Sequence, residues 1–135
     1  MTQHNAKLLL VYNADGGLLN MLMDGMWKIF SPSTYPCSLC AITYGAVSMR
    51  GEWKRFLQSL PLEVVFHHKD DFAEAYPGHD VALPAILVHS EDTPMRVLVP
   101  AADLNLMADV EELMGVVEER LVTEVARTPQ LRIVA

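Results

Sequence analysis

The chain contains two cysteines, and they are three residues apart, at Cys37 and Cys40. This C-x-x-C spacing suits a reversible disulfide, and it also supplies two of the four ligands of a zinc site. Pro36 favours the first turn of a helix, so we expect a short helix over residues 37–44. Since a thiol near a helix N-terminus has a lowered pKa, the pattern predicts Cys37 as the attacking thiolate and Cys40 as the resolving thiol.

Two other interpretations of the cysteines remain open. In the first, Cys37 and Cys40 bind zinc together with His67 or His68, which are adjacent in the sequence. Adjacent residues of a strand point to opposite faces of a sheet, so we expect one of these histidines to join the site, with Asp70 or His79 as the fourth ligand. In the second interpretation, both cysteines are reduced and pack in the interior as small hydrophobic residues.

The composition excludes some classes of function. The 135 residues fit one domain, and with 51% hydrophobic residues the chain can bury a sizeable core. A formal net charge of −7 argues against non-specific binding to nucleic acid or to an anionic membrane surface, because both need clustered Lys and Arg. The N-terminus lacks the pattern of a signal peptide and no stretch is long enough to span a bilayer, which predicts a cytoplasmic protein. In that reducing compartment, a close cysteine pair is more often redox-active or metal-binding than a structural disulfide.

Apolar runs separated by turn residues predict an α/β domain. The expected strands cover residues 7–12, 62–66, 85–88 and 95–99. The expected helices cover residues 18–30, 37–44, 52–60, 69–76 and a last helix with its apolar stripe at Val110, Leu113, Met114, Val117 and Leu121. The first two strands should be parallel because a helical crossover joins them, and the last two antiparallel because a short turn joins them. The prediction is a single domain over 1–135, with a mixed four-stranded sheet, helices on both faces, an inserted helical segment after the first helix, and a loosely held tail at 128–135.

This order of elements, with Leu83-Pro84-Ala85 opening the third strand, resembles the thioredoxin superfamily. In that superfamily the proline before the third strand is cis and lies beside the active site. The resemblance therefore implies a thioredoxin-like fold, a cis bond at Pro84 and an active site next to it. A cis X-Pro bond needs only modest stabilisation.

Two sequence motifs extend the resemblance. The turn after the first strand is similar to the D-G-D-C-x-x-C-N opening of the small DCC-type thiol-disulfide oxidoreductases, with Asp15 and Asn20 on the pattern. Gly16 and Leu19 occupy the two cysteine positions of that motif, and the dithiol of this chain comes about twenty residues later. The chain is also similar to short bacterial proteins that share the patterns Y-N-A-D-x-G-L-x-N and S-P-S-T-Y-x-C-x-L-C.

The expected topology brings several candidate residues to one edge of the sheet. Asp15 follows the carboxyl end of the first strand, and His67 and His68 follow the carboxyl end of the second. Pro84 precedes the antiparallel third strand, so it should lie at the same edge, where active sites of parallel α/β sheets are found. We expect Asp15 or a histidine to move protons there. The candidate catalytic residues are Cys37, Cys40, Pro84 and Asp15.

The sequence thus predicts a thiol-based redox protein, either a thiol-disulfide oxidoreductase or a redox sensor, that acts on an unidentified protein or small-molecule thiol. This chemistry needs no cofactor, whereas the metal-binding alternative would use zinc. A third interpretation is an interaction module without catalysis, which the empty cysteine positions and the eight methionines favour. In that case the apolar helix 18–30, with Met21, Met23, Met26 and Trp27, would form the surface of a homodimer.

Overall fold

The fold is seen in a computed structural model that describes residues 6–13, 38–43, 49–90 and 93–127. These residues form the strands β1 (Lys7–Tyr12), β2 (Glu63–His68), β3 (Ala85–Ser90) and β4 (Thr93–Val99). They also form the helices α1 (Ser38–Thr43), α2 (Gly51–Ser59), α3 (Lys69–Ala75), α4 (Ala101–Leu104) and α5 (Val110–Arg127). The expected helix over 18–30 with its four candidate dimer residues, the tail at 128–135, and the site candidates Asp15 and Cys37 lie outside the described residues.

The four strands form one mixed sheet in the order β2-β1-β3-β4. β1 and β2 are parallel, whereas β3 is antiparallel to both β1 and β4. The continuous apolar run Leu8–Tyr12 explains the central position of β1, because a strand covered on both faces has no polar side. All five of these residues are fully buried. The mixed four-stranded α/β sheet predicted from the sequence is confirmed.

The two faces of β1 enter two separate hydrophobic clusters, because successive residues of a strand point to opposite faces. The first, which we call the broad cluster, joins the sheet to α1, α2, α4 and α5. Its principal members are Leu8, Leu10, Tyr12, Leu39, Ile42, Trp53, Leu57, Ile86, Val88, Leu98, Leu104, Val110, Leu113, Val117 and Leu121. The second, the narrow cluster, joins the sheet to α3 and consists of Leu9, Val11, Phe72, Ala85 and Leu87, with partly buried neighbours that include Tyr76.

Helix α5 follows the predicted amphipathic pattern. Four positions of its expected stripe are buried, and the glutamates at 111, 112, 118 and 119 are exposed. The helix continues to Arg127. In its last turns the buried Glu124 pairs with Arg96 of β4, at 2.8 Å between Oε2 and Nε. This ion pair ties the last helix to the outer strand of the sheet.

Several boundaries differ from the expectation. β2 continues through both histidines, two residues beyond its expected end, and β3 continues to Ser90. The short helix α4 was not expected, because four residues are too few to show a helical period; it buries Ala101 and Leu104. In the described ranges, no helix is both long and apolar enough to cross a membrane.

Candidate functional site

The carboxyl ends of β1 and β2 and the start of β3 lie at the same edge of the sheet. In the parallel ladder Val11 pairs with His67 and Tyr12 with His68, so β1 and β2 finish together. Val11 also pairs with Ala85 in the antiparallel ladder, which places the start of β3 at the same edge. Pro84 directly precedes Ala85 and is buried, and the Leu83–Pro84 bond is cis. The strand ends that carry both histidines and the proline therefore meet as the topology predicted.

The cysteine segment is described from Ser38 onward. Helix α1 begins directly after Cys37 and contains Cys40, and its residues Leu39 and Ile42 are buried in the broad cluster. Arg50 fixes the end of this helix: its backbone N–H donates to the carbonyl of Thr43 at 2.8 Å, and its Nε donates to the carbonyl of Ile42 at 3.0 Å. Helix α1 thus packs on the sheet face that also carries Tyr12, the last residue of β1.

Both histidines contact one carboxylate, that of Asp71. His67 Nδ1 lies 3.0 Å from Asp71 Oδ2, and His68 Nδ1 lies 3.2 Å from Asp71 Oδ1. The backbone N–H of His68 also donates to Asp71 Oδ1 and so caps the start of α3. The two rings leave β2 on opposite faces, but α3 begins at the next residue, so a carboxylate in its first turn reaches both.

The contacts around Asp71 determine how the histidines carry their protons. Burial raises the pKa of Asp71, but the hydrogen bonds from His67 and from the His68 backbone, together with the charges of both histidines, lower it further than burial raises it. The net pKa lies below the ordinary value of 3.8, so the carboxylate is ionised at neutral pH and can only accept hydrogen bonds. The neutral ring of His67 therefore holds its proton on Nδ1, which donates to Asp71 Oδ2, and presents Nε2 as an acceptor. The side chain of His68 instead accepts from the backbone N–H of Asp71, in the capping box that begins α3.

Three side chains at this edge carry ligand atoms that a metal ion accepts. These atoms of His68, Asp70 and Asp71 all lie within 4.8 Å of one another. Among the described residues, the group contains His68, whereas His67 stands outside it although it shares Asp71. Asp70, a fourth ligand that the sequence offered, also belongs to the group.

A ring of aromatic and imidazole side chains surrounds Tyr76, just beyond the end of α3. The centroid of the Tyr76 ring lies 5.5 Å from that of Phe72, 5.8 Å from His67, 6.1 Å from His79 and 5.5 Å from His89. Sequence reasoning missed this group. The alternation of the strands could have placed His67 and His89 on the face of Leu9, but the position of Tyr76 depends on where α3 ends.

Family models, curated proteins and solved structures were compared with the chain, and none of them matches it. The candidate site is therefore defined by its own geometry. It consists of the strand edge with His67, His68 and Pro84, the carboxylate of Asp71 that joins the two histidines, and the cysteine-bearing helix α1 on one face of the sheet.

Proposed function

We propose that this protein is a thiol-based redox protein with a thioredoxin-like domain, in which Cys37 and Cys40 are the reactive dithiol. One observation carries the proposal: the helical backbone of α1 contains Cys40 and begins at the residue after Cys37. Residues three apart are neighbours on one helix surface, and the C-x-x-C spacing has this separation, as a dithiol that closes and opens reversibly requires.

The architecture supports the thioredoxin-like assignment. The order of elements is the one on which the resemblance to the thioredoxin superfamily rests. A parallel β1–β2 pair is followed by α3, an antiparallel β3–β4 hairpin and the long helix α5. The cis bond at Pro84 stands where the resemblance implies it. In this proposal Pro84 shapes the edge along which a substrate docks, and Asp15 or a histidine accepts the thiol proton.

The proposed reaction is thiol–disulfide exchange with a disulfide of a protein or of a small molecule. The Cys37 thiolate attacks one substrate sulfur, which forms a mixed disulfide and releases the other substrate sulfur as a thiolate. The Cys40 thiolate then attacks Cys37 and releases the second substrate thiolate. Two electrons pass from the dithiol to the substrate, and the two protons lost by the cysteines go to the two substrate thiolates.

Thiol alkylation followed by mass spectrometry tests this proposal, because the chain has only these two cysteines. After mild oxidation with glutathione disulfide we expect no alkylated thiol, and after reduction we expect two. The Cys40→Ser variant should accumulate a mixed disulfide at Cys37, whereas Cys37→Ser should accumulate less because the attacking thiolate is gone. A wild-type protein that keeps two free thiols under oxidation would overturn the proposal.

Metal binding is the second candidate, and the grouping of His68, Asp70 and Asp71 favours it. In this alternative Cys37, Cys40 and a histidine at 67 or 68 bind zinc, and the nearby carboxylates offer oxygen ligands. Elemental analysis of protein purified without chelator should find stoichiometric zinc, which His68→Ala should lower. His89→Ala, at the opposite end of the β1–β3 ladder, should leave the zinc content unchanged. Protein without stoichiometric metal would contradict this alternative and leave the dithiol proposal intact.

A further inference from the structure

We propose that Tyr76, His79 and His89 form an acid-sensitive clasp that fastens residues 76–84 to β3 at neutral pH and loosens when His89 takes up a proton. The inference concerns a regulatory device in the fold, and it does not depend on the dithiol chemistry. The clasp lies on the face of the sheet that carries the narrow cluster.

Ring contacts hold the clasp together. Tyr76 ends α3, where its backbone N–H donates to the carbonyl of Phe72 at 2.9 Å. Its ring meets His89 of β3 nearly edge-on, at 5.5 Å between centroids and 74° between planes. On the loop side it meets His79 at 6.1 Å and 87°, and the backbone N–H of His79 donates to the carbonyl of Tyr76 at 3.4 Å. The start of the loop is therefore attached to β3 through one tyrosine ring.

The charges around His89 oppose its protonation. Lys7 stands directly opposite His89 in the antiparallel ladder, and His79 approaches from the loop. Burial lowers the pKa of His89, and the positive charges of Lys7 and His79 lower it further. In the described ranges, the charges that shift this pKa are both positive.

Other charged groups on the elements packed against His89 do not contribute to its lowered pKa. Lys69, Asp70 and Glu74 of α3 and Asp80 of the loop are exposed. The Asp71 carboxylate of α3 contacts His67 and His68, and Arg96 of β4 is paired with Glu124.

The direction of the pH effect follows from this shift. The pKa of His89 in the closed clasp is below its ordinary value of 6.5, so the open state binds more protons as the pH falls. The clasp is therefore fully stable above about pH 6.5 and loses stability as the pH falls below that value. Uptake of one proton on His89 changes the opening equilibrium by at most about tenfold per pH unit.

The segment that would loosen leads directly to Pro84, at the strand edge of the candidate site. When residues 76–84 detach from β3, the backbone that leads into β3 at this edge becomes more mobile. Acidification would therefore alter access to the edge while the broad cluster on the other face holds the sheet together.

Nuclear magnetic resonance of the full chain tests the clasp in two ways. Titration of the histidine ring protons should give His89 a midpoint below 6.5, and Lys7→Gln should raise that midpoint. Amide hydrogen exchange between Gly78 and Leu83, corrected for the intrinsic effect of pH, should accelerate from pH 7.5 to pH 5.5 by up to about tenfold, the linkage limit for one proton over the single pH unit below 6.5. Exchange in β1 should change far less.

Two variants decide whether His89 is responsible. His89→Gln should abolish most of the acid-induced acceleration, and His68→Gln, a matched change outside the clasp, should retain it. The proposal is overturned if the wild-type His89 titrates at 6.5 or above, or if His89→Gln keeps the full acceleration. If His89→Gln fails to fold, the titration midpoint of His89 decides instead. A midpoint below 6.5 in the wild type that rises in Lys7→Gln supports the proposal, and a midpoint that does not rise contradicts it.

Discussion

The two faces of the sheet are packed by different chemistry. The broad cluster is largely aliphatic, and α5 and α2 supply long buried side chains such as Leu113, Val117 and Leu57. The narrow cluster is small, and imidazole and phenol rings around Tyr76 complete it. Burial of apolar area is the main stabilising term of folding, so the broad face carries most of the stability. The narrow face, with less to bury, contains His89, whose pKa is lowered by burial and by the charges of Lys7 and His79.

The largest test of this comparison uses two neighbouring leucines of β1. Leu10 enters the broad cluster and Leu9 the narrow one, and both are fully buried. We expect Leu10→Ala to lower the free energy of unfolding by about 4–5 kcal/mol and Leu9→Ala by about 2–3 kcal/mol, because partly buried neighbours can close around the smaller cavity. Urea unfolding at pH 7.5 measures both values. Equal costs for the two variants would contradict the assignment of stability to the broad face.

Two glycines give a smaller contrast, because alanine should lower the free energy of unfolding at one of them and raise it at the other. Gly78, in the loop on the narrow face, has a φ of +87°, and nothing lies within 4 Å of an added Cβ, so the cost of Gly78→Ala comes from the backbone alone. We expect a loss of about 1–2 kcal/mol. Gly115 lies inside α5, where an added Cβ also meets nothing within 4 Å, so Gly115→Ala should gain about 0.5–1 kcal/mol. Thermal unfolding of the two variants beside the wild type checks both signs.

The smallest expected effect is at Asp71. Its pKa is lowered in the folded state, so the stability it contributes is present above its unfolded pKa of about 3.9 and is lost as the pH falls below that value. Asp71→Asn should therefore cost about 0.5–1 kcal/mol at pH 7, a modest value because the side chain is 46% exposed and screened by solvent. The difference from wild type should shrink toward pH 2.5.

Urea titrations at several pH values measure this trend. Glu74→Gln, on the same helix and exposed, is the control and should be neutral at both pH values. A cost for Asp71→Asn that stays constant down to pH 2.5 would contradict the role of its ionised form.

The elements that the sequence predicts well are those whose pattern is local and strong. The unbroken apolar run of β1 and the stripe of α5 required no knowledge of their partners. The end of β2 was less clear, because its residues are partly buried or exposed without alternation, and histidine is common both at strand ends and in loops. The strand edge followed from topology, since parallel and antiparallel directions fix which ends meet.

The details of the site depend on distances that no local pattern contains. Asp71 reaches both histidines only because α3 starts without an intervening loop, and a shift of one residue in that boundary would move the carboxylate away. The group around Tyr76 joins residues from β2, α3, the following loop and β3, so its prediction needs the register of three strands as well as the length of α3. The side-chain chemistry of the cysteine pair stays a prediction.

The carboxylate that touches both histidines also has a mechanical meaning. Its contacts all lie within residues 67–71, so they set the direction in which α3 leaves β2 without any help from the neighbouring strands. If the end of β2 separates from β1, the two histidines and the first turn of α3 should move as one unit. A single acidic side chain thereby makes a stiff corner of a strand end and a helix start, at a place where the modest burial of the strand supplies little else to hold that corner.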